Sequence, residues 1–365
     1  VFVGDSNPIN MCRFSRYTKG NLIYPSFHSH PDEFISSIIN FIIKNNIGTF
    51  IPIHEEVMLV AKYIKKFPKN VKIPISEFSK IYSLHNKRLS CKMAHDLNIP
   101  LPKTYFPKNL YDIKNIASLI DYPVVIKLTN SNSAKGVWFE SNGSSISNKI
   151  NFIIENYPLD EIPIIQENVP GVMYAVSILA EEGRIINQFV RRNIRGKETF
   201  GGTCTKCESI KAPFLVKEVK KIITYLKYTG VLMVEFKVDE LKGRYWFIEA
   251  NPRYWGTISF DVDCGIEIPF NHFCLANSLP YRKINKYKEG LISRWIIGDC
   301  IGLVNRLNAR NSNIKEITKY LYFDEDFYMD LKFDDPLVFL MQAFYYFYKF
   351  IRFKSTNPIE KNMIS

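Results

Sequence analysis

Two glutamates, Glu235 and Glu249, lie in apolar runs on either side of the turn Asp239-Glu240-Leu241-Lys242-Gly243, equidistant from Lys242. If the runs pair as an antiparallel hairpin, the carboxylates face each other across the ladder. Asn251 joins them, because side chains alternate along a strand. Opposed carboxylates destabilise a sheet unless a cation lies between them. Two carboxylates and an amide oxygen are hard ligands of the kind Mg²⁺ accepts while keeping positions for water and phosphate. The plain alternative is a solvated sheet face. Against it, Asn251-Pro252-Arg253 adds a carbonyl-type ligand and a cation where proline ends the strand.

A second candidate is the apolar run Pro123-Val124-Val125-Ile126-Lys127, which opens onto small polar residues from Thr129 to Gly136, with Lys135 among them. Such a loop lets backbone N–H groups close over phosphate oxygens while lysine supplies a point charge. An ordinary hairpin loop has the same composition. Neither GxxxxGK[ST] nor GxGxxG occurs, so neither a P-loop nor a Rossmann dinucleotide site is supported. The run Ile164-Ile165-Gln166-Glu167-Asn168-Val169-Pro170-Gly171 leaves a strand for a turn. Its unpaired backbone groups suit the edge of an adenine, although a plain domain crossover reads the same way.

The elements that must position these residues follow from periodicity. Helical spacing over 32–44 and 55–66, alternating with apolar runs at Val1–Asp5, Phe50–Ile53 and Lys72–Ile75, predicts a parallel α/β unit to about residue 84. Val1 in place of Met, with a strand at the very start, leads us to expect a missing upstream piece. A helix follows over 86–96. Strand, loop, strand, helix and strand over 124–166 then form a small α+β unit. Hairpins turn at Glu181-Glu182-Gly183 and around Lys242, with a helix over about 213–228 between them. The stretch from about Leu291 reads as helical and ends in an aromatic run, Leu337 to Phe353.

Composition narrows the classes. The chain has 365 residues, 46% hydrophobic and 14% aromatic, which excludes disorder and a disulfide-stapled miniprotein. Seven scattered cysteines argue against a disulfide framework, and no run reaches the roughly 18 apolar residues of a membrane span. A cytoplasmic protein is the expectation. The net charge of +12 leaves nucleic acid, a membrane surface or an anionic small molecule or polymer as partners. Nucleic acid falls away, because the basic residues lack the aromatic interleaving of a recognition module.

Taken together, the Val125-Ile126-Lys127 strand, Glu235 and Phe247-Ile248-Glu249-Ala250-Asn251-Pro252-Arg253 resemble the ATP-grasp superfamily, and within it the carboxylate–amine ligase branch with a carbamoyl-phosphate-synthetase-like layout. The resemblance covers about residues 80–275. It implies a multidomain α/β and α+β fold: an N-terminal parallel α/β domain (1–84), a two-lobed ATP-grasp domain (85–280, lid about 116–168) and a helical C-terminal extension (281–365). It also implies ATP and Mg²⁺ as cofactors, two ions by the family's pattern with Mn²⁺ as an alternative. Lys87 and Lys127 would hold phosphates, Lys135 the lid, and Gln166, Glu167, Asn168 and Val169 the adenine. Glu235, Glu249 and Asn251 would bind the metal, and Arg253 would face the reacting carboxylate. One departure stands out: Met173 occupies the place where the family has a ribose-binding acid.

The implied reaction joins an amine to a carboxylate through an acyl phosphate, releasing ADP. It needs no side-chain nucleophile, in keeping with the absence of a Ser-His-Asp or Cys-His arrangement. A non-catalytic nucleotide-binding module is the second reading, motivated by Met173. Arg191 and Arg192, with the loop at Gly201-Gly202, are the candidate substrate residues, since arginine binds carboxylates bidentately and glycine permits close approach. Ten Lys/Arg against three Glu between Gly183 and Lys221 point to an anionic acceptor, conceivably a sugar acid of a surface polysaccharide. Cys204 and Cys207 have CxxC spacing without a second ligand pair, so core packing outweighs zinc or redox use. His28 and His30 read as loop residues. The run 337–353 is expected to pack as a buried helix, with contact to a membrane interface as the alternative.

Overall fold

The computed structural model describes residues 1–130, 136–156, 161–197, 202–308 and 317–353. The chain forms two compact units: residues 1–75, 191–211 and 255–353 make the first, and residues 76–190 and 212–254 the second.

The first unit opens with two parallel strands, β1 (Phe2–Asp5) and β2 (Gly20–Ile23), and the helices α1 (Pro31–Lys44) and α2 (Glu56–Lys62). Proline at the first helical position and Asp32 and Glu33 in the first turn start α1. Its apolar stripe of Phe34, Ile35, Ile38 and Ile42 is buried against Val60 and Phe67. Where the sequence predicts strands at Phe50–Ile53 and Lys72–Ile75, the structure has one parallel bridge, Thr49 with Lys72. Pro52 and Pro74 remove the N–H groups that a longer ladder needs.

In the second unit α3 (Phe78–His85) leads to α4 (Lys87–Asp96), whose start is fixed by Asn86: its side-chain oxygen accepts from the Leu89 N–H at 3.0 Å. Then come β3 (Thr104–Tyr105), α5 (Leu110–Leu119), β4 (Val124–Lys127), β5 (Val137–Glu140), α6 (Gly143–Asn156) and β6 (Ile164–Glu167). These strands form an antiparallel sheet in the order β3-β6-β4-β5. Helices α5 and α6 cover it through a core of Ile113, Ile146, Ile150 and Ile153 against Ile126 and Ile165. Strand β7 (Val172–Glu181) turns into β8 (Arg184–Gly196) over Glu182-Gly183, both at positive φ, as a tight hairpin demands. From Arg191 onward β8 belongs to the first unit, where it pairs with β9 (Cys204–Ser209). Back in the second unit, α7 (Pro213–Leu226) leads to β10 (Gly230–Asp239) and β11 (Arg244–Asn251), and the strand order there is β11-β10-β7-β8. Helices α3 and α4 pack against β11.

The remainder of the first unit contains α8 (Ile258–Asp263), α9 (Ile268–Ala276), β12 (Ile292–Arg294), α10 (Ile296–Asn308), β13 (Phe327–Tyr328) and α11 (Pro336–Phe353). The C-terminal stretch is thus not helical throughout. β12 pairs antiparallel with β9 and parallel with β13, and their short lengths hide them from periodicity. Among the described residues, no helix is long and apolar enough to cross a membrane.

Candidate functional site

The hairpin of β10 and β11 brings the two glutamates together by an irregularity. From the turn upward Asp239 faces Arg244, Lys237 faces Trp246 and Phe236 faces Phe247, a register that would set Ile248 opposite Glu235. A bulge absorbs Ile248, so Glu249 falls directly opposite Glu235. Asn251 then lies two residues along on the same face. Its side-chain N–H donates to Glu249 Oε1 at 3.1 Å, and its Oδ1 accepts from Arg253 Nη2 at 3.2 Å, leaving one amide lone pair. Arg253 Nη1 donates to the Tyr254 carbonyl at 2.9 Å, while Nε is buried with no hydrogen-bond partner among the described residues.

Lysines reach this face from three elements. Lys87, the first residue of α4, places Nζ 3.7 Å from Glu249 Oε2 with only 5% of its side chain exposed. Burial alone would raise the Glu249 carboxyl. Lys87, the Asn251 amide, Lys127 and a hydrogen bond shared with Glu235 outweigh that effect and hold it down at about 2. Lys127 ends β4, a strand buried along its whole length, and burial pushes its ammonium below the usual lysine range. It donates to Gln166 Oε1 at 2.7 Å. Gln166 Nε2 in turn donates to the Thr104 hydroxyl at 2.8 Å, and that hydroxyl donates to the Pro102 carbonyl at 2.6 Å. Because the hydroxyl's proton is engaged, the amide oxygen must be the end that faces Lys127. Gln166 is therefore a buried support for Lys127 rather than an open base contact.

Lys237 is a participant that sequence reading missed. Two residues from Glu235, it shares that carboxylate's face of β10, opposite Met173 of β7. Its Nζ donates to the Val169 carbonyl at 2.6 Å and to Asn168 Oδ1 at 3.3 Å, and burial lowers its pKa. The signal was available: a lysine in a strand that otherwise alternates into the core. Cys91 of α4, buried beside Lys127 and Lys87, was also passed over; burial pushes its thiol up to about 11, so it stays neutral.

Of the remaining predicted site residues, Glu167 is exposed, with its N–H on the Lys103 carbonyl at 2.9 Å. Lys135 and Gly201 lie outside the described residues. Arg191, Arg192 and Gly202 belong to the first unit. Arg191 is buried and donates to Asn193 Oδ1. Arg192 pairs with Glu208, its cross-strand neighbour, at 2.8 Å. The local excess of charge is compensated in part by acids far away in sequence: Arg195 pairs with Asp299, Lys206 with Asp324 and Glu325, and Lys211 with Glu289. Half of the ten basic residues between Gly183 and Lys221 are ion-paired once Lys221 with Glu218 is included. The charge count alone therefore does not mark an open anionic-acceptor surface. Cys204 and Cys207 are buried free thiols, and no three His, Cys, Asp or Glu side chains among the described residues are placed to hold a metal. A metal on the hairpin would rest on two carboxylates and one amide.

A family model described as "ATP-grasp in the biosynthetic pathway with Ter operon" matches residues 161–298, which include Glu235, Lys237, Glu249, Asn251 and Arg253. Through that segment the chain is similar to ATP-grasp proteins. Solved structures share its fold at low identity. The biotin carboxylase domain of 2-oxoglutarate carboxylase from Hydrogenobacter thermophilus, in complex with MgADP, ADP and bicarbonate, superposes with a TM-score of 0.63 at 14% identity over 80% of this chain and 73% of that one. Biotin carboxylase from Campylobacter jejuni gives 0.65 at 14% identity over 80% and 68%. Rhizobium etli pyruvate carboxylase gives 0.64 at 15% identity over 80% of this chain and 28% of that one. No curated protein matches. The cation-rich face of β10 and β11 is built from residues both inside and outside the matched segment, since Lys87 and Lys127 precede it.

Proposed function

We propose that this chain is an ATP-dependent ligase of the ATP-grasp type that joins a carboxylate to an amine with release of ADP and phosphate. The observation that carries the reading is an imbalance. Among the described residues Lys87 and Lys127 act on Glu249, Lys237 shares the face of Glu235 and Arg253 holds Asn251, and the contacts of Lys127 and Lys237 described above are to neutral oxygens. Buried cations without matching anions cost stability unless a ligand supplies the negative charge. A nucleotide polyphosphate fits this demand, and the MgADP held by the H. thermophilus neighbour supports the choice.

The donor set suits a hard divalent ion: Glu249 stays ionised, Glu235 opposes it, and Asn251 retains an oxygen lone pair. Bound there, Mg²⁺ and ATP would supply an activated phosphoryl group that converts a carboxylate into an acyl phosphate, open to displacement by an amine. The chain's own contribution is electrostatic. Lys87 and Lys127 offset the charge that accumulates when a carboxylate approaches phosphate, and Gln166 and Thr104 hold Lys127 in place. Lys237 steadies the Asn168-Val169 backbone beside the proposed base site. Arg253, whose buried Nε keeps a donor to spare, is proposed to meet the acceptor carboxylate.

A coupled ADP-release screen of amino acids against sugar acids and peptides tests the reading. It expects release that requires both a carboxylate and an amine and is abolished by Glu249→Gln. Nucleotide binding without ADP release in any pair, unaffected by Glu249→Gln, is the result expected of a non-catalytic nucleotide-binding module.

A further inference from the structure

Helix α11 has one packed side and one open side. On the packed side Gln342 accepts from Trp295 Nε1 at 3.2 Å and donates to Met11 Sδ at 3.3 Å, while the Tyr346 ring lies 5.7 Å from that of Trp295. The start of the helix is anchored by Asp335, which accepts from the Ser15 hydroxyl, and by Asp334, which accepts from the Tyr17 hydroxyl at 2.7 Å. On the open side lie Leu337, Leu340, Phe344, Phe347, Phe350 and Ile351, each between 46 and 63% exposed. Leu337, Leu340, Phe344, Phe347 and Ile351 follow alternating steps of three and four residues, so they form one continuous stripe. Contiguous exposed apolar surface of this kind marks an interaction site.

Charge decides between the occupants. A second copy of α11 would bring the same two cations, Lys349 and Arg352, and no acid between Pro336 and Phe353 to pair with them. Helix pairs that associate in water use opposite charges beside the seam, and the charged side chains of α11 itself are both cations. The whole chain also carries +12, so two copies repel where an anionic surface attracts. The cations sit beside aromatic rings: Lys349 Nζ is 4.4 Å from the Tyr345 ring centroid, and Arg352 donates to the Tyr348 hydroxyl at 2.8 Å. Tyrosine with a neighbouring cation is the residue pair suited to the headgroup layer.

We propose that α11 docks the protein on an anionic lipid bilayer, lying in the interface with its Leu/Phe stripe in the acyl boundary and Lys349 and Arg352 at the headgroups. Flotation of the full chain with phosphatidylcholine vesicles, with and without phosphatidylserine, tests this. Co-flotation is expected with phosphatidylserine. It should fall about tenfold or more in Phe344→Ser/Phe347→Ser, since each ring loses its apolar burial. Lys349→Gln/Arg352→Gln should lower it by about fivefold per charge. The phenylalanines are half exposed, so an unchanged thermal melt separates lost docking from lost folding. Wild-type protein that stays with the soluble fraction overturns the proposal, as does a Phe344→Ser/Phe347→Ser variant that floats like wild type. A dimer in sedimentation that the same serines dissolve, without flotation, overturns it in favour of self-association.

Discussion

Two clusters of buried charge occur in this chain, and they are built differently. In the first unit Asp299 is fully buried and meets Arg195, Arg294 at 2.8 Å and the Thr205 hydroxyl at 2.8 Å, while Glu325 accepts from Lys206 at 2.8 Å. There each cation has a carboxylate opposite it. In the second unit, among the described residues, Lys87, Lys127, Lys237 and Arg253 outnumber Glu235 and Glu249, and Lys127 rests on a neutral amide. A closed ion network fixes a fold, whereas a cluster short of anions is poised for a ligand that carries them. The rich supply of arginine and lysine in the sequence does not separate the two; the partners do.

Removing the anion from the closed cluster should have the largest effect. Asp299→Ala removes the carboxylate that Arg195 and Arg294 share and leaves Arg294 only Glu325 at 3.4 Å, and urea unfolding should show a loss of about 3–5 kcal/mol. A loss below about 1 kcal/mol would remove the contrast between the clusters. Next comes acid. Glu249 is held down at about 2 in the fold against an ordinary carboxylate value, so it adds stability above that ordinary value and loses it as pH falls toward 2. Wild type should therefore lose about 2–3 kcal/mol more than Glu249→Gln between pH 5 and pH 2, as followed by denaturant midpoints.

Lys127→Ala sharpens the other side of the comparison. MgADP titration calorimetry should show affinity reduced about 10- to 100-fold, the range for losing one charged hydrogen bond. An unchanged affinity would detach Lys127 from the nucleotide. The smallest effect belongs to the half-exposed Arg192–Glu208 pair: Arg192→Gln should cost about 0.2–1 kcal/mol in a thermal melt and leave MgADP affinity unchanged.

Legibility followed the distance along the chain over which partners had to be found. The β10–β11 hairpin and its paired glutamates were readable because turn and strands lie within a few residues, although the bulge at Ile248 that completes their register leaves no mark in a periodicity count. Lys127 stood out as the cation that ends an apolar run, whereas Lys87 could be singled out only through family likeness. Their convergence on Glu249 depends on α4 packing against β11 and on β4 lying inside its sheet. The side-chain partners of Gln166 were not legible, because a strand end looks open in sequence and its side chain is tied here to Thr104, more than sixty residues away. The parallel strands at residues 50–53 and 72–75 failed where proline withdrew the ladder.

The sequence by itself determined the local devices: the proline start of α1 and the Asn86 cap of α4, the tight turn at Glu182-Gly183, the hairpin that opposes Glu235 and Glu249, and the apolar stripe of α11. Each rests on propensity, periodicity or turn chemistry over fewer than about twenty residues. Tertiary structure alone decided which charges are neutralised. Asp299 stands about a hundred residues from Arg195, and Lys237 finds the Val169 carbonyl across strands. Coulomb energy depends on separation in space and on burial, and neither quantity is written in residue order.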